Sequence, residues 1–115
     1  MQPNIFPNTN GELEVDIGSE VNVHCEAEGI PGPTYSYLTW YKQDSKGRYH
    51  DIARFASIKV SRKGVTSYGQ NIDVEILTFS SFSKKDEGVY SCLRYVPGSR
   101  DDQVTRASVK ITQTR

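Results

Sequence analysis

Four residues at alternate positions in the stretch KKDEGVYSC constrain this chain most: Asp86, Gly88, Tyr90 and Cys92. Side chains on a strand alternate between faces, so all four point the same way. An acid, a missing side chain, a phenol and a thiol do not make a generic apolar face; each needs a particular neighbour. For Cys92 the only other cysteine is Cys25. In a cytosolic protein the two would be buried thiols. In a small β-rich domain a pair this far apart reads as one bridge formed in an oxidising compartment. Closing the 67-residue span would stabilise the fold by about 4 kcal/mol in the chain-entropy treatment.

The rest of the chain supports a β-rich reading. At 115 residues it suffices for one domain with one core, spanning 1–115, with ends at 1–10 and 113–115 expected to be flexible. Apolar residues recur with period two. ELEVDI puts Leu13, Val15 and Ile17 on one face, and EVNVHC puts Val21, Val23 and Cys25 inward. EGIPGPTYSY, with two prolines and two glycines, is an irregular loop. YLTWYKQ is a strand with Leu38 and Trp40 inward, DSKGR a hairpin turn, and YHDIARF and SIKVSRK short edge strands with little pairing. IDVEILTFSSF turns Leu77 and Phe79 inward, and TRASVKIT closes the chain with Val109 and Ile111 inward. About nine short strands with turn signals between them make an all-β antiparallel sandwich.

The alternating residues then acquire partners. Cys92 can bridge Cys25 between two sheets, with Trp40 packed on the bridge. Tyr90 suits a corner in which its hydroxyl returns to the backbone of the preceding turn. Gly88 lets the chain pass close to its neighbour, and Asp86 at the corner accepts hydrogen bonds or faces a cation. With Cys25, WYKQ and ILTFSSFSKKDEGVYSC in this order, the chain resembles the immunoglobulin variable-type domain from about Leu13 to Thr112. The resemblance implies an immunoglobulin-like sandwich with an extra strand pair, the Cys25–Cys92 disulfide, and a core signature of Trp40, Leu77, Asp86, Gly88 and Tyr90. An Arg that often pairs with the corner acid has no well-spaced counterpart, since Arg62 and Lys63 lie too far upstream.

Chemistry is harder to find. Fourteen bases balance fourteen acids, so bulk charge calls for neither nucleic acid nor an acidic membrane. The balance is uneven: residues 1–41 carry six acids and no Lys or Arg, and residues 42–115 carry a net +6 (14 − 8). His24 and His50 lack the spaced partners of a metal site, and there is no phosphate loop, nucleophile elbow or carboxylate pair. The expectation is a non-enzyme with no cofactor, metal or small-molecule substrate. No segment could span a bilayer and no leader is visible. The expected setting is the extracellular part of a single-pass plasma-membrane protein whose leader, stalk and anchor lie outside this stretch.

Surfaces remain. In related domains the residue after the Trp and the Gln two further on lie in a pairing face. Here these are Tyr41 and Gln43, with Leu93 expected to be exposed beside them, which suits a two-fold contact in which each Gln bonds its mate. Three loops are expected to meet at one end and to present Tyr35, Tyr37, Arg54, Phe55, Lys59, Tyr95, Pro97 and Arg100, types favoured at binding hot spots. The Phe-Gly-x-Gly bulge of rearranged antigen receptors is absent after Cys92. FSKKDEGVYSC and the short third loop resemble the alpha chains of the cytotoxic T-cell coreceptor, in a non-mammalian version. That resemblance implies a homodimer clamping an acidic loop of MHC class I. The contacts would be Tyr35 and Ser36, then Arg54, Phe55, Ser57 and Lys59, then Pro97, Ser99 and Arg100. Another variable-type innate receptor or an adhesion domain stays open, as does a monomer or heterodimer.

Overall fold

The computed structural model describes residues 2–28, 37–67, 70–95 and 104–114. Among these are nine strands: β1 (Asn4–Phe6), β2 (Glu12–Val15), β3 (Val21–Glu28), β4 (Tyr37–Gln43), β5 (Tyr49–Asp51), β6 (Ile58–Ser67), β7 (Gln70–Phe79), β8 (Gly88–Tyr95) and β9 (Thr105–Gln113). One sheet has the order β1-β3-β7-β6, the other β2-β9-β8-β4-β5. All pairings are antiparallel except β2 with β9.

The inward positions read from the sequence meet between the sheets. Val23, Cys25, Leu77, Phe79, Phe82, Tyr90, Cys92 and Ile111 are fully buried, and Leu38, Trp40 and Val109 nearly so. The disulfide Cys25–Cys92 joins β3 to β8, and Trp40 lies opposite Cys92 in register. The Trp40 indole N–H donates to the Glu75 carbonyl at 3.0 Å, which satisfies its one polar atom in the core. Phe79 stands edge-on to Phe82 and Tyr90, both at 5.4 Å between ring centres.

Within residues 1–10 β1 pairs with β3 and Ile5 packs against the core opposite Cys25, and β9 runs on to Gln113. Three expectations need correction. Ile17 is 53 % exposed, because β2 ends at Val15 and the chain turns at Gly18, whose φ is +87°. SIKVSRK is no poorly paired fragment: it opens a ten-residue strand bonded along its length to β7. The expected extra strand pair is half present. β5 pairs with β4, and from there a short crossing over 52–57 leads straight to β6 in the opposite sheet. The count of nine strands is reached because the N-terminal segment splits into β1 and β2, one in each sheet.

Candidate recognition surface

The corner at Asp86 is structural, and it claims residues that the sequence assigned elsewhere. Asp86 is 2 % exposed. Its carboxylate accepts from the Ser83 backbone N–H at 2.9 Å, the Ser83 hydroxyl at 3.1 Å and the Ser57 hydroxyl at 2.7 Å. The Tyr90 hydroxyl donates to the Asp86 carbonyl, as a tyrosine corner requires; burial, then the nearby Asp86 charge, push the Tyr90 phenol far up from its ordinary value. Gly88 sits at φ +157°, and a Cβ there would stand 3.0 Å from Lys42 Cε. The Lys42 ammonium donates to the Lys85 carbonyl at 3.0 Å and lies over the rings of Phe55 and Tyr90. Burial lowers the Lys42 pKa, and the Asp86 charge opposes that shift. Arg62, the rejected candidate for Asp86, donates instead to Glu75 at 3.1 Å.

These contacts place the second loop. Phe55 lies under Lys42 and Ser57 is bonded to Asp86, while Lys42, Gln43, Asp44, His50, Arg54 and Phe55 line one cavity. This is the end where β4 finishes and β8 begins. Glu28, Tyr37 and Tyr95, the strand ends that border residues 29–36 and 96–103, lie at the other end. Ser57 and Lys59, with Phe55 beside Lys42, therefore lie at the end opposite the strand ends Glu28, Tyr37 and Tyr95. The physical reason is the missing second extra strand: a short link from β5 must cross where β6 starts, beside Phe79. Tyr35, Ser36, Pro97, Ser99 and Arg100 lie outside the described residues.

The outer face of the five-stranded sheet is a different environment. Strand alternation turns Thr39, Tyr41 and Gln43 of β4, Ser91, Leu93 and Tyr95 of β8, and Arg106 and Ser108 of β9 outward. Tyr49 of β5 faces Gln43. Tyr41 and Tyr49 stack obliquely with ring centres 5.7 Å apart. The Tyr95 phenol is pushed up to about 12, first by burial and then by its hydrogen bond to Tyr41. Arg106 donates to the Tyr49 hydroxyl, a bond that runs from β9 to β5 over the middle strands. Leu93 lies between Thr39 and Arg106 in register and is only 8 % exposed. It is not the exposed leucine expected.

Gln43 is also occupied. Its carbonyl oxygen accepts from the Ser91 hydroxyl at 2.9 Å, its amide donates to Gly47 O at 3.4 Å, and Ser91 meets Ser108 at 2.7 Å. Tyr49 and Arg106 escaped the sequence reading, although both alternate with inward residues. What was missing was the register that brings them together across four strands.

At the β4–β5 turn Asp44 accepts from the backbone N–H groups of Lys46 and Arg48, from the Arg48 guanidinium and from His50 at 2.9 Å. These bonds, that of His50 first, hold its carboxyl well below the usual range. The described residues contain no group of three or more His, Cys, Asp or Glu side chains placed to hold a metal, and none of their helices is long and apolar enough to cross a membrane.

The ectodomain of BTLA superposes over 99 % of this chain and 100 % of its own with a TM-score of 0.67, at 18 % identity, a likeness of fold. Immunoglobulin superfamily member 10 of Homo sapiens is 28 % identical over 107 residues, 93 % of this chain. A peroxidasin homolog of Caenorhabditis briggsae is 33 % identical over 75 residues, 65 % of this chain. The chain spans only 4 % of the length of either relative. The family model described as immunoglobulin domain matches residues 2–93. With that match, the disulfide-joined sheets and the tyrosine corner, the chain belongs to the immunoglobulin domain family.

Proposed function

We propose that this domain is an extracellular protein-recognition module of an immune cell-surface receptor, and that it binds through the outer face of its five-stranded sheet. One observation carries the reading: Tyr41, Tyr49, Tyr95 and Arg106 share that face, held by a ring contact and side-chain hydrogen bonds. Tyr and Arg lead the residue types at binding hot spots. Rings already fixed by their neighbours lose little entropy on binding. The test probe is an array of recombinant cell-surface ectodomains, class I MHC among them, challenged with the multimerised chain. Tyr41→Ala, Tyr49→Ala and Arg106→Ala should each weaken capture at least about tenfold, the size of a hot-spot loss. Lys84→Ala, on the corner turn, should leave it unchanged. Capture of nothing, or capture indifferent to all three variants, would overturn the proposal.

The narrower reading is a coreceptor-like homodimer that binds MHC class I. It is supported by Tyr41 and Gln43 on one sheet face and by the exposed Arg54 and Lys59. Phe55 and Ser57 are engaged at the Asp86 corner, and the Gln43 amide is already bonded, so this reading rests on fewer residues than the first. It expects Arg54→Ala to abolish class I capture and the pair Tyr41→Ala with Gln43→Ala to halve the solution mass. Failure of both would remove it and leave the broader proposal intact.

A further inference from the structure

Among the described residues the sandwich is open along one side. Strand β5 pairs with β4 over 41–43 only, and the chain then leaves through the short crossing 52–57. The Asp44 N–H donates to the Arg48 carbonyl, so alternation turns the backbone groups of Leu38 towards the same edge, past the end of β5. There the Leu38 carbonyl meets the Arg62 guanidinium of the other sheet at 3.5 Å. Opposite this gap stands the inner side of β6. Ile58, Val60 and Arg62 lie in register with Phe79, Leu77 and Glu75 on the core side of β7. Ile58 is buried, yet Val60, two residues on, is 41 % exposed. A cleft of about 330 Å³ opens beside it, with Thr39, Trp40 and Ile52 on one wall and Ile58, Val60 and Glu75 on the other. Its two acids are occupied, Glu75 by Arg62 and Asp51 by the Ala53 N–H, each at 3.1 Å.

Strand β6 is also the last of its sheet, ten residues in unbroken register with β7, without proline or bulge. Half of its backbone donors and acceptors therefore face away from β7. It carries three bases, Lys59, Arg62 and Lys63, and no acid. Alternation puts Lys59 and Lys63 on the outer side, flanking Ser61, and Val60 on the inner. Among the described residues neither lysine has an ion-pair partner. Exposed lysines keep a neutral strand off such an edge, but they attract an acidic one. We propose that β6 is extended by a strand from a partner protein, a segment in which acids alternate with apolar residues. Its backbone pairs with the free edge of β6. Its acids lie beside Lys59 and Lys63, and an apolar side chain from its inner side enters the cleft at Val60. In such strand addition main-chain bonds give affinity and alternate side chains select the partner. The tyrosine face lies on the other sheet, so the two surfaces are separate.

The probe is a synthetic peptide with the run Glu-Val-Glu-Val-Glu, titrated to about millimolar concentration into the isotope-labelled, disulfide-bonded chain and followed by amide chemical shifts. Shifts should centre on Ile52, Lys59, Val60, Ser61 and Lys63 and leave Tyr41, Tyr49 and Tyr95 still. A peptide of the same composition reading Glu-Glu-Glu-Val-Val, and one with lysines in place of the glutamates, should each bind at least about tenfold more weakly. Lys59→Glu with Lys63→Glu should weaken binding of the first peptide at least about tenfold and strengthen that of the lysine peptide. N-methylation of alternate peptide residues should abolish binding in one frame and spare it in the other, because only one set of N–H groups pairs with β6. Tyr41→Ala should leave peptide binding unchanged, so failure here and failure of the recognition face are told apart. Absence of binding, shifts away from β6, indifference to the charge reversal, or equal effects of the two methylated frames would overturn the proposal.

Discussion

Asp86 is the buried acid around which the corner before β8 is built. Its carboxylate holds the start of the corner through two bonds from Ser83 and ties down the crossing through Ser57. Asp86→Ala leaves these donors without their acceptor in a site 2 % exposed and should cost roughly 2–4 kcal/mol in urea unfolding. Tyr90→Phe removes one hydrogen bond from a core phenol and should cost roughly 1–2 kcal/mol. Asp44 offers a pH signature. Its folded pKa is depressed, so its contribution is fully present above the ordinary carboxylate value of about 4 and is lost as pH falls through the folded value. The stability difference between wild type and Asp44→Asn should therefore be constant at neutral pH and shrink in strong acid, as read by unfolding midpoints across a pH series. Asp86 and Tyr90 were legible in the sequence because the corner bonds Ser83–Asp86 and Tyr90–Asp86 lie within a few residues of one another. Ser57 was not, since it reaches Asp86 across 29 residues that only the fold brings together.

The elements show the same division between local and distant causes. Alternation identified the inward faces of β3, β4 and β9 residue by residue, because a half-buried strand writes its face into every second position. It failed where a strand stops. Ile17 continues the pattern of Leu13 and Val15, but the chain has already turned, so Ile17→Ser should change stability by less than about 0.5 kcal/mol while Leu13→Ala costs more. Equilibrium unfolding of the two variants decides it. It failed again on β6, whose outward lysines and Arg62 read as a fragment although β7 supplies a full ladder of backbone bonds. The edge position explains the composition, since exposed lysines discourage a stray strand from adding there. The absence of a second extra strand had the largest consequence. It moves the crossing, with Phe55 and Ser57, to the end opposite Glu28, Tyr37 and Tyr95, and no local pattern in RFASIK announces that path.

For the molecule as a whole, the core and disulfide set the frame, and a sheet face and a strand edge divide the work. Replacing Cys25 and Cys92 together by serine should lower stability by about 4 kcal/mol, the loop-closure value for this span, measured by denaturation. The family and the sandwich were readable from signature residues because these are demands of the core. The binding surfaces were not, because each is assembled from residues on several elements whose register the sequence leaves open. Tyr49 with Arg106 and Ile52 with Val60 are the two cases. The measurement that tests this division most directly is a residue-resolved amide chemical-shift series with the alternating acidic peptide, repeated with a captured ectodomain. The peptide should move Lys59, Val60, Ser61 and Lys63 and leave Tyr41, Gln43, Tyr49 and Tyr95 still, while the ectodomain should move the tyrosine set alone. Peptide shifts on the tyrosine face, or ectodomain shifts on the β6 edge, would contradict the assignment of the two surfaces.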